Sequence, residues 1–246
     1  MDVNIKDWYK NWFGNEYLTI YAHRDDEEAN QLIELIHTYL KISPRINILD
    51  LCCGQGRHAL QLAQSGYKVY GMDLSRQLLQ VAKFRKTEDQ NAYFVQADMR
   101  YLPTYQAFDL LLNLFTSFGY FESDVENISV FHQFFHALKK GGNFVFDYFN
   151  TRHVIENLVP FEKDQVGDLK IEIKRCIKGS RVQKRIYIKN KNHSAVFYES
   201  VKMYTRNEIL NMLQEVGLRV HYIFGNYDGS KFSLNSPRLI IMGQKT

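Results

Sequence analysis

A hydrophobic run that passes directly into a glycine-containing loop and then into a helical pattern is the strongest constraint on the fold. Residues 46–51 have the composition of a buried strand, and residues 52–56 read Cys-Cys-Gly-Gln-Gly. Residues 57–64 follow with apolar side chains at helical spacing. A tight loop between a strand and the start of a helix brings the backbone close to a bound ligand.

The same alternation continues along the chain. It predicts helices over residues 75–86 and 124–138, and further strands over residues 67–72, 92–96, 108–112 and 143–147. Alternating strands and helices indicate βαβ units and a doubly wound, mostly parallel sheet in the α/β class. In such a sheet the ligand crevice lies at the carboxyl ends of the strands. Functional side chains are therefore expected just after the strands.

The chain is predicted to contain three parts. They are an N-terminal aromatic and helical cap (1–42), an α/β core in two pieces (43–166 and 205–246) and an antiparallel β insertion (167–204). Within the cap a helix is expected from about residue 25 to residue 40. Within the insertion, turns separate three predicted strands, over residues 169–178, 181–190 and 194–204.

Composition narrows the class of protein. The 246 residues are 45% hydrophobic, enough for one large core, and contain neither a membrane-length apolar run nor the apolar core of a signal peptide. The three cysteines fit neither a disulfide framework nor a metal-ligand spacing. We therefore expect a cytoplasmic protein with no membrane contact and no bound metal.

The glycine loop alone does not decide between two nucleotide-binding families. Gly54, Gly56 and Ala59 also fit the dinucleotide pattern G-x-G-x-x-G/A. Asp73 ends the second predicted strand, where a carboxylate can accept hydrogen bonds from ribose hydroxyls in either family. Asp98 ends the third and offers a second carboxylate, which suits a sulfonium nucleoside with an amine, a ribose and an adenine better than a pyrophosphate.

The ordered motifs resemble those of the class I S-adenosylmethionine-dependent methyltransferases. They occur in the family's order, as Ile48-Leu-Asp-Leu-Cys-Cys-Gly-Gln-Gly56, Val69-Tyr-Gly-Met-Asp-Leu-Ser75, Gln96-Ala-Asp-Met99, Phe108-Asp-Leu-Leu-Leu-Asn113 and Leu138-Lys-Lys-Gly-Gly142. The resemblance implies a Rossmann-like, seven-stranded sheet whose last strand, over residues 237–243, is antiparallel to the others. It also implies S-adenosyl-L-methionine as the cofactor.

The resemblance further implies roles for individual residues. Gly54 and Gly56 would approach the methionine moiety, Asp73 the ribose, Asp98 the adenine and Asn113 the methionine end. The full set of predicted cofactor-binding residues is Asp50, Cys53, Gly54, Gln55, Gly56, Asp73, Leu74, Asp98, Met99, Asn113 and Leu114. One departure is Cys52, which stands where many members of the family have a glycine. For Cys53 a packing role is favoured over a nucleophilic one.

Aromatic and hydroxyl-bearing segments are predicted on the acceptor side of the site. Residues 114–121 and 17–24, together with 228–238, resemble a group of small bacterial methyltransferases that act, where known, on small molecules. Each residue could equally serve core packing, because the chain has 16 tyrosines and eight histidines. The predicted catalytic residues are Tyr21, His23 and Tyr120. The predicted substrate-binding residues are Tyr17, Arg24, Ser117 and Tyr148.

The β insertion is strongly basic. Between positions 170 and 191 it carries nine lysines and arginines against Glu172 alone. A solvated outer face is the simplest interpretation, since edge strands use lysine to deter pairing. A face that binds nucleic acid, or a lid or dimer surface, remains open.

Three functional hypotheses follow. The first is an enzyme, acting as a monomer or homodimer, that methylates oxygen or nitrogen of a small-molecule acceptor. The second is an RNA methyltransferase that uses the basic strands of the insertion. The third is a regulator that binds the cofactor without catalysis.

Overall fold

The computed structural model describes residues 6–21 and 27–246 and contains two β-sheets. The strands of the larger sheet are β1 (Asn47–Leu51), β2 (Lys68–Asp73), β3 (Ala92–Gln96), β4 (Phe108–Asn113), β5 (Leu138–Phe149), β10 (Leu218–Phe224) and β11 (Arg238–Lys245). Those of the smaller are β6 (Phe161–Val166), β7 (Leu169–Lys178), β8 (Arg181–Lys189) and β9 (Ser194–Lys202).

The seven-stranded sheet has the order β10-β11-β5-β4-β1-β2-β3. Strands β1 to β5 pair in parallel, whereas β11 runs antiparallel to both β5 and β10. This order confirms the doubly wound α/β fold and its antiparallel last strand. Strands β2 and β3 lie on one side of β1, whereas β4 lies on its other side. The strand order therefore switches between β1 and β4, and the crevice at their carboxyl ends lies beside the glycine loop.

The helices are α1 (Tyr9–Trp12), α2 (Asn15–Ile20), α3 (Glu27–Leu40), α4 (Arg57–Gln64), α5 (Arg76–Arg85), α6 (Asp124–Ala137), α7 (Thr151–Glu156) and α8 (Arg206–Val216). Ser75 caps α5, because its hydroxyl accepts a hydrogen bond from the amide of Leu78. Thr205 and Glu208 form a reciprocal capping box on α8. No helix among the described residues is long and apolar enough to span a bilayer.

The smaller sheet is antiparallel, in the order β6-β7-β8-β9. The three strands of the insertion lie close to their predicted bounds, but β6 is an addition that the sequence did not indicate. Its residues, Phe-Glu-Lys-Asp-Gln-Val, are mostly polar and lie largely exposed, so they lack the alternation that marks a half-buried strand.

The strand β5 also begins earlier than expected, at Leu138, within residues that were predicted to end α6. Leu138, the first residue of β5, pairs with Phe108 on β4, and Asn143 pairs with Leu110. The register of the two strands therefore shifts between Phe108 and Leu110. A turn with positive φ at Gly141 lies between the two paired parts.

Two tryptophans fasten the N-terminal segment to the smaller sheet. The indole nitrogen of Trp8 donates to the carbonyl of Ser200 at 3.1 Å, and that of Trp12 donates to the carboxylate of Glu199 at 2.8 Å. Trp12 is only 1% exposed. The segment therefore lies between β9 and the large sheet, over the carboxyl ends of its strands.

Candidate active site

The loop between β1 and α4 turns through three residues with left-handed backbone conformations. Cys52, Gly54 and Gly56 have φ angles of 63°, 57° and 79°. This left-handed conformation destabilises any residue with a Cβ atom by about 1–2 kcal/mol. Cys52 therefore adopts a backbone conformation typical of glycine although it carries a thiol side chain. The amides of Cys52 and Cys53 both donate to the carbonyl of Met72, at 2.7 and 3.1 Å, which fixes the loop against β2.

The two glycines of the loop have different surroundings. A Cβ atom added at Gly54 would meet one leucine methyl group at 3.8 Å, and the residue lines a cavity. A Cβ atom added at Gly56 would lie 3.0 Å from Ala82 and from the ring of Phe94. Gly54 therefore leaves room for a ligand, whereas Gly56 permits the start of α4 to pack against β3 and α5.

Asp73 organises the cavity from the end of β2. One of its carboxylate oxygens accepts a hydrogen bond from the amide of Gly54 and the other accepts one from the amide of Ser75, both at 2.8 Å. Burial raises the pKa of Asp73, and these hydrogen bonds partly offset the rise. Each carboxylate oxygen keeps a further lone pair, so the group can still accept hydrogen bonds from ribose hydroxyls.

Asp98 lines the same cavity but is already bound by an arginine. The guanidinium of Arg100 donates to both carboxylate oxygens, at 2.7 and 3.1 Å, and also pairs with Glu126 at 2.7 Å. Burial alone would raise the pKa of Asp98, but the hydrogen bonds and charge of Arg100 outweigh it and lower the pKa. Asp98 is thus held ionised and oriented, with Met99 beside it in the cavity wall.

Two buried oxygens at the end of β1 and β4 have no hydrogen-bond partner among the described residues. They are Oδ2 of Asp50 and Oδ1 of Asn113, whose residues are 1% and 0% exposed. Asn113 does use its amide nitrogen, which donates to the carbonyl of Leu51 at 3.3 Å. Because buried acceptors are normally satisfied, the oxygen of Asp50, which lines the cavity, fits a ligand that brings a donor, such as the amino group of a methionine moiety.

The protonation of Asp50 should therefore be coupled to ligand binding. Burial, together with the charge of Asp73, raises the pKa of Asp50 to about 7. A positively charged amino group favours the ionised form, so we expect cofactor affinity to increase as the pH rises from about 6 to about 8. Calorimetric titrations across this range test the expectation, and Asp50→Asn should flatten the pH profile.

The raised pKa of Asp50 also predicts how the stability of the free protein depends on pH. A carboxyl group with a raised pKa in the folded state binds a proton that the unfolded chain releases near its ordinary pKa of 3.8. Its contribution to the free energy of unfolding is therefore largest below pH 4 and is lost as the pH rises through about 7. Urea unfolding of the wild type relative to Asp50→Asn, at pH 5 and pH 8, measures this difference. An equal difference at both pH values would contradict the assignment.

Aromatic residues of the N-terminal segment close the cavity from above. Tyr9, Phe13 and Tyr17 line it together with the strand ends. The hydroxyl of Ser75, next to Asp73, donates to the carbonyl of Phe13 at 2.6 Å. The segment that covers the site is thus hydrogen-bonded to the loop that carries the ribose-binding candidate.

Tyr120 completes this wall from the loop after β4. Its ring centroid lies 4.8 Å from that of Trp8 and 6.0 Å from that of Phe13. Burial raises the pKa of Tyr120 well above its ordinary value, so its hydroxyl keeps its proton. Ser117 lies on the same loop and donates from its hydroxyl to the carbonyl of Leu114 at 2.9 Å.

The structure brings most of the predicted site residues to one cavity. These are Tyr17, Asp50, Cys53, Gly54, Gln55, Asp73, Leu74, Asp98, Met99, Leu114, Ser117 and Tyr120. Cys53 is also closely packed, since a Cβ atom on Gly71 would lie 2.8 Å from its sulfur, and burial raises the pKa of its thiol. These surroundings favour a packing role over a nucleophilic one.

Other predicted residues lie elsewhere. Tyr148 is fully buried and its hydroxyl donates to the carbonyl of Lys202, while Tyr21 packs its ring against Trp12 and Tyr17 outside the cavity. Gly56 and Asn113 are not among the residues that line the cavity. His23 and Arg24 lie outside the described residues.

Sequence reasoning missed several residues of the cavity wall. They are Tyr9, Phe13, Arg57 and Leu78, whereas Phe115 and Phe121 belong to the predicted segment 114–121. Arg100 was also missed as the partner of Asp98, although a cation two positions after an acid at a strand end was a visible signal. Tyr9 and Phe13 could be found only from the tertiary path of the N-terminal segment.

Comparison with known proteins agrees with the fold and the cavity. A family model described as a methyltransferase domain matches residues 48–142, which include the glycine loop, Asp73, Asp98 and Asn113. The seven-stranded sheet and the arrangement of these residues at its carboxyl edge are those of an S-adenosylmethionine site. The match to this family and the similarity to known methyltransferases support a class I S-adenosylmethionine-dependent methyltransferase.

Within this class the chain is similar to proteins of its own length. It is 26% identical to the putative methyltransferase YqeM of Bacillus subtilis over 95% of this chain and 96% of that protein. An S-adenosylmethionine-dependent methyltransferase from Clostridium acetobutylicum has the same fold, with a TM-score of 0.80 at 20% identity over 94% of this chain and 98% of the other. CalS10, an amino pentose methyltransferase of Micromonospora echinaspora solved with S-adenosylmethionine bound, matches with a TM-score of 0.68 at 19% identity over 94% and 97%.

Proposed function

We propose that this enzyme transfers the methyl group of S-adenosylmethionine to nitrogen or oxygen of a small-molecule acceptor. The observation that carries the proposal is the aromatic wall formed by Phe13, Tyr17, Phe115 and Tyr120 over the cavity. A folded RNA or a protein surface would have to displace these rings, whereas a small molecule can lie against them. The likeness to CalS10, whose substrate class is an amino sugar, supports the same choice.

The residues of the cavity fit the cofactor through three contacts. Asp73 has spare lone pairs that would accept from the ribose, the unpartnered oxygen of Asp50 would accept from the amino group, and Met99 would offer an apolar surface to the adenine ring. The bound cofactor supplies a methyl group on a positively charged sulfur. The aromatic wall would exclude water from that group and stabilise its positive charge.

The chemistry asks little more of the protein than alignment. Methyl transfer is an in-line displacement, so holding donor and acceptor in contact supplies most of the rate enhancement. A proton acceptor is needed only when the nucleophile arrives protonated. Tyr120, whose hydroxyl keeps its proton, suits hydrogen-bond donation to the acceptor rather than removal of a proton.

RNA methylation is the second candidate, and one observation favours it. The strand register places Lys170 opposite Lys189 and Lys174 opposite Arg185, and all four residues are exposed. Like charges directly opposite each other destabilise a sheet, so this arrangement suits a surface that meets an anion. If RNA binds there, filter binding will show an affinity that falls steeply with salt, and charge-neutral variants of these residues will reduce the slope.

Labelled methyl transfer to separated cell fractions tests the main proposal. We expect label from S-adenosylmethionine to enter the small-molecule fraction and to leave the RNA and protein fractions unlabelled. Label confined to RNA would replace the proposal with the second candidate. Label in no fraction, despite cofactor binding, would contradict both.

A further inference from the structure

A second cavity adjoins the first across the aromatic wall. Phe13, Tyr17, Phe115 and Tyr120 line both cavities, so the two meet at these rings. The second cavity lies between the loop after β4, the region of α7 and the inner face of the smaller sheet. A molecule held there would therefore lie next to the cofactor cavity at these four rings.

The inner face of the smaller sheet places an ion pair in this second cavity. Lys184 on β8 and Glu199 on β9 are direct register partners, and their charged groups are 2.8 Å apart. The other carboxylate oxygen of Glu199 accepts the hydrogen bond from Trp12 at 2.8 Å. The two side chains are only 28% and 15% exposed. Two of the nine cations of the insertion that suggested a basic surface, Arg175 and Lys184, therefore line a cavity instead.

Stability does not require a charged pair at this position. Taking two charges out of water is costly, and well-packed apolar residues in place of such a pair are often as stable or more so. The apolar side chains of Val182 and Val201 line the same cavity and would suit an apolar neighbour. A partly buried carboxylate that keeps one exchangeable cationic partner is better explained by a ligand that takes the place of that cation.

We propose that this second cavity binds the methyl acceptor, that the acceptor carries an amine, and that Glu199 receives the ammonium group in place of Lys184. The proposal rests on the function proposed above and adds the substrate class and its binding residue. Phe13, Tyr17 and Tyr120 surround the junction of the cavities and offer ring faces, which attract an ammonium group as they attract a sulfonium.

The transfer step balances with this arrangement. The ammonium group gives one proton to the carboxylate of Glu199, and its nitrogen regains a lone pair. That lone pair forms the new N–C bond to the methyl carbon while the electron pair of the C–S bond returns to sulfur. The positive charge thus passes from sulfur to nitrogen, the proton stays on Glu199 until it exchanges with water, and no redox partner is required.

Binding of matched probes to the full chain tests this inference without turnover. Benzylamine and benzyl alcohol differ in the ammonium group and are titrated into the wild type, Glu199→Gln, Lys184→Met and Glu172→Gln, in the presence of S-adenosylhomocysteine, with saturation-transfer NMR as the readout. Glu172 lies on the outer face of the same sheet, 46% exposed beside Lys163, and provides the matched control.

We expect Glu199→Gln to weaken benzylamine binding about tenfold or more, as for loss of a hydrogen bond to a charged group, and to leave benzyl alcohol unchanged. Lys184→Met should tighten benzylamine binding, because it removes the competing cation. A merely structural ion pair would give the same loss for both variants and both probes. Glu172→Gln should change neither probe.

The outcomes separate this inference from the proposed function. If the wild type does not bind S-adenosylhomocysteine, the proposed function fails. If it binds that compound but prefers benzylamine no more than benzyl alcohol, or if Glu199→Gln leaves the preference intact, the amine site is overturned while the methyltransferase assignment stands. Thermal unfolding of each variant checks that it is folded.

Discussion

Replacing Asp73 with alanine is expected to reduce the affinity for S-adenosylmethionine by at least about a hundredfold. The change removes two hydrogen bonds from ribose hydroxyls to a charged acceptor, each of which contributes about 1.5–3 kcal/mol. It also frees the amides of Gly54 and Ser75, which the carboxylate holds at 2.8 Å. Equilibrium dialysis with labelled cofactor measures the dissociation constant. Asp89→Ala, at an exposed position outside the cavity, is the matched control.

A comparison of two ligands separates ribose binding from support of the loop. The 2′-deoxy analogue of S-adenosylhomocysteine lacks one of the hydroxyls that Asp73 is proposed to hold. If Asp73 binds the ribose, Asp73→Ala costs less affinity for this analogue than for S-adenosylhomocysteine itself. Equal losses for both ligands would assign Asp73 to loop support alone.

Alanine substitutions at Gly54 and Gly56 are expected to have the second large effect. One substitution should act mainly on cofactor affinity and the other mainly on stability. Both have left-handed backbones, so alanine at either position costs about 1–2 kcal/mol in the free energy of unfolding. At Gly56 the new methyl group also meets Phe94 and Ala82 at 3.0 Å, and overpacking of this kind adds about 1–3 kcal/mol. At Gly54 the methyl group enters the cavity instead. Urea unfolding and cofactor dialysis on both variants measure the two effects.

We therefore expect Gly54→Ala to lose at least about tenfold in cofactor affinity, with a modest loss of stability, because its methyl group competes with the ligand for space. Gly56→Ala should show the larger loss of stability and, where folded, the smaller loss of affinity. If the two variants behaved alike, the separate roles assigned to Gly54 and Gly56 would be wrong.

Local patterns in the sequence were sufficient to predict the parallel part of the large sheet, whereas its antiparallel last strand was implied by the family resemblance. The strands β1 to β4 begin and end within about one residue of their predicted bounds, because each is a short apolar run between turn residues. The strand ends then located Asp50, Asp73 and Asp98, since parallel strands align their carboxyl ends at one edge. The exposed, polar β6 carries no such pattern and could not be predicted.

Contacts between distant segments were beyond the reach of these patterns. Arg181 was counted with a basic surface, yet its guanidinium donates to the carbonyls of Gly119, Tyr120 and Phe121 and so fastens the smaller sheet to the loop that carries Tyr120. A net charge along a strand does not show which face each side chain occupies until the register is known. Arg100 stands only two positions after Asp98 in the sequence, but its second partner, Glu126 on α6, could not be predicted from local patterns.

A crystal structure with S-adenosylhomocysteine tests the central claim most directly. The assignment predicts that the amino group of the ligand lies within about 3.2 Å of the carboxylate of Asp50, and that a ribose hydroxyl lies as close to Asp73. It also predicts that the sulfur faces the wall formed by Phe13, Tyr17, Phe115 and Tyr120. A ligand bound elsewhere, or in this cavity with its ribose away from Asp73, would contradict it.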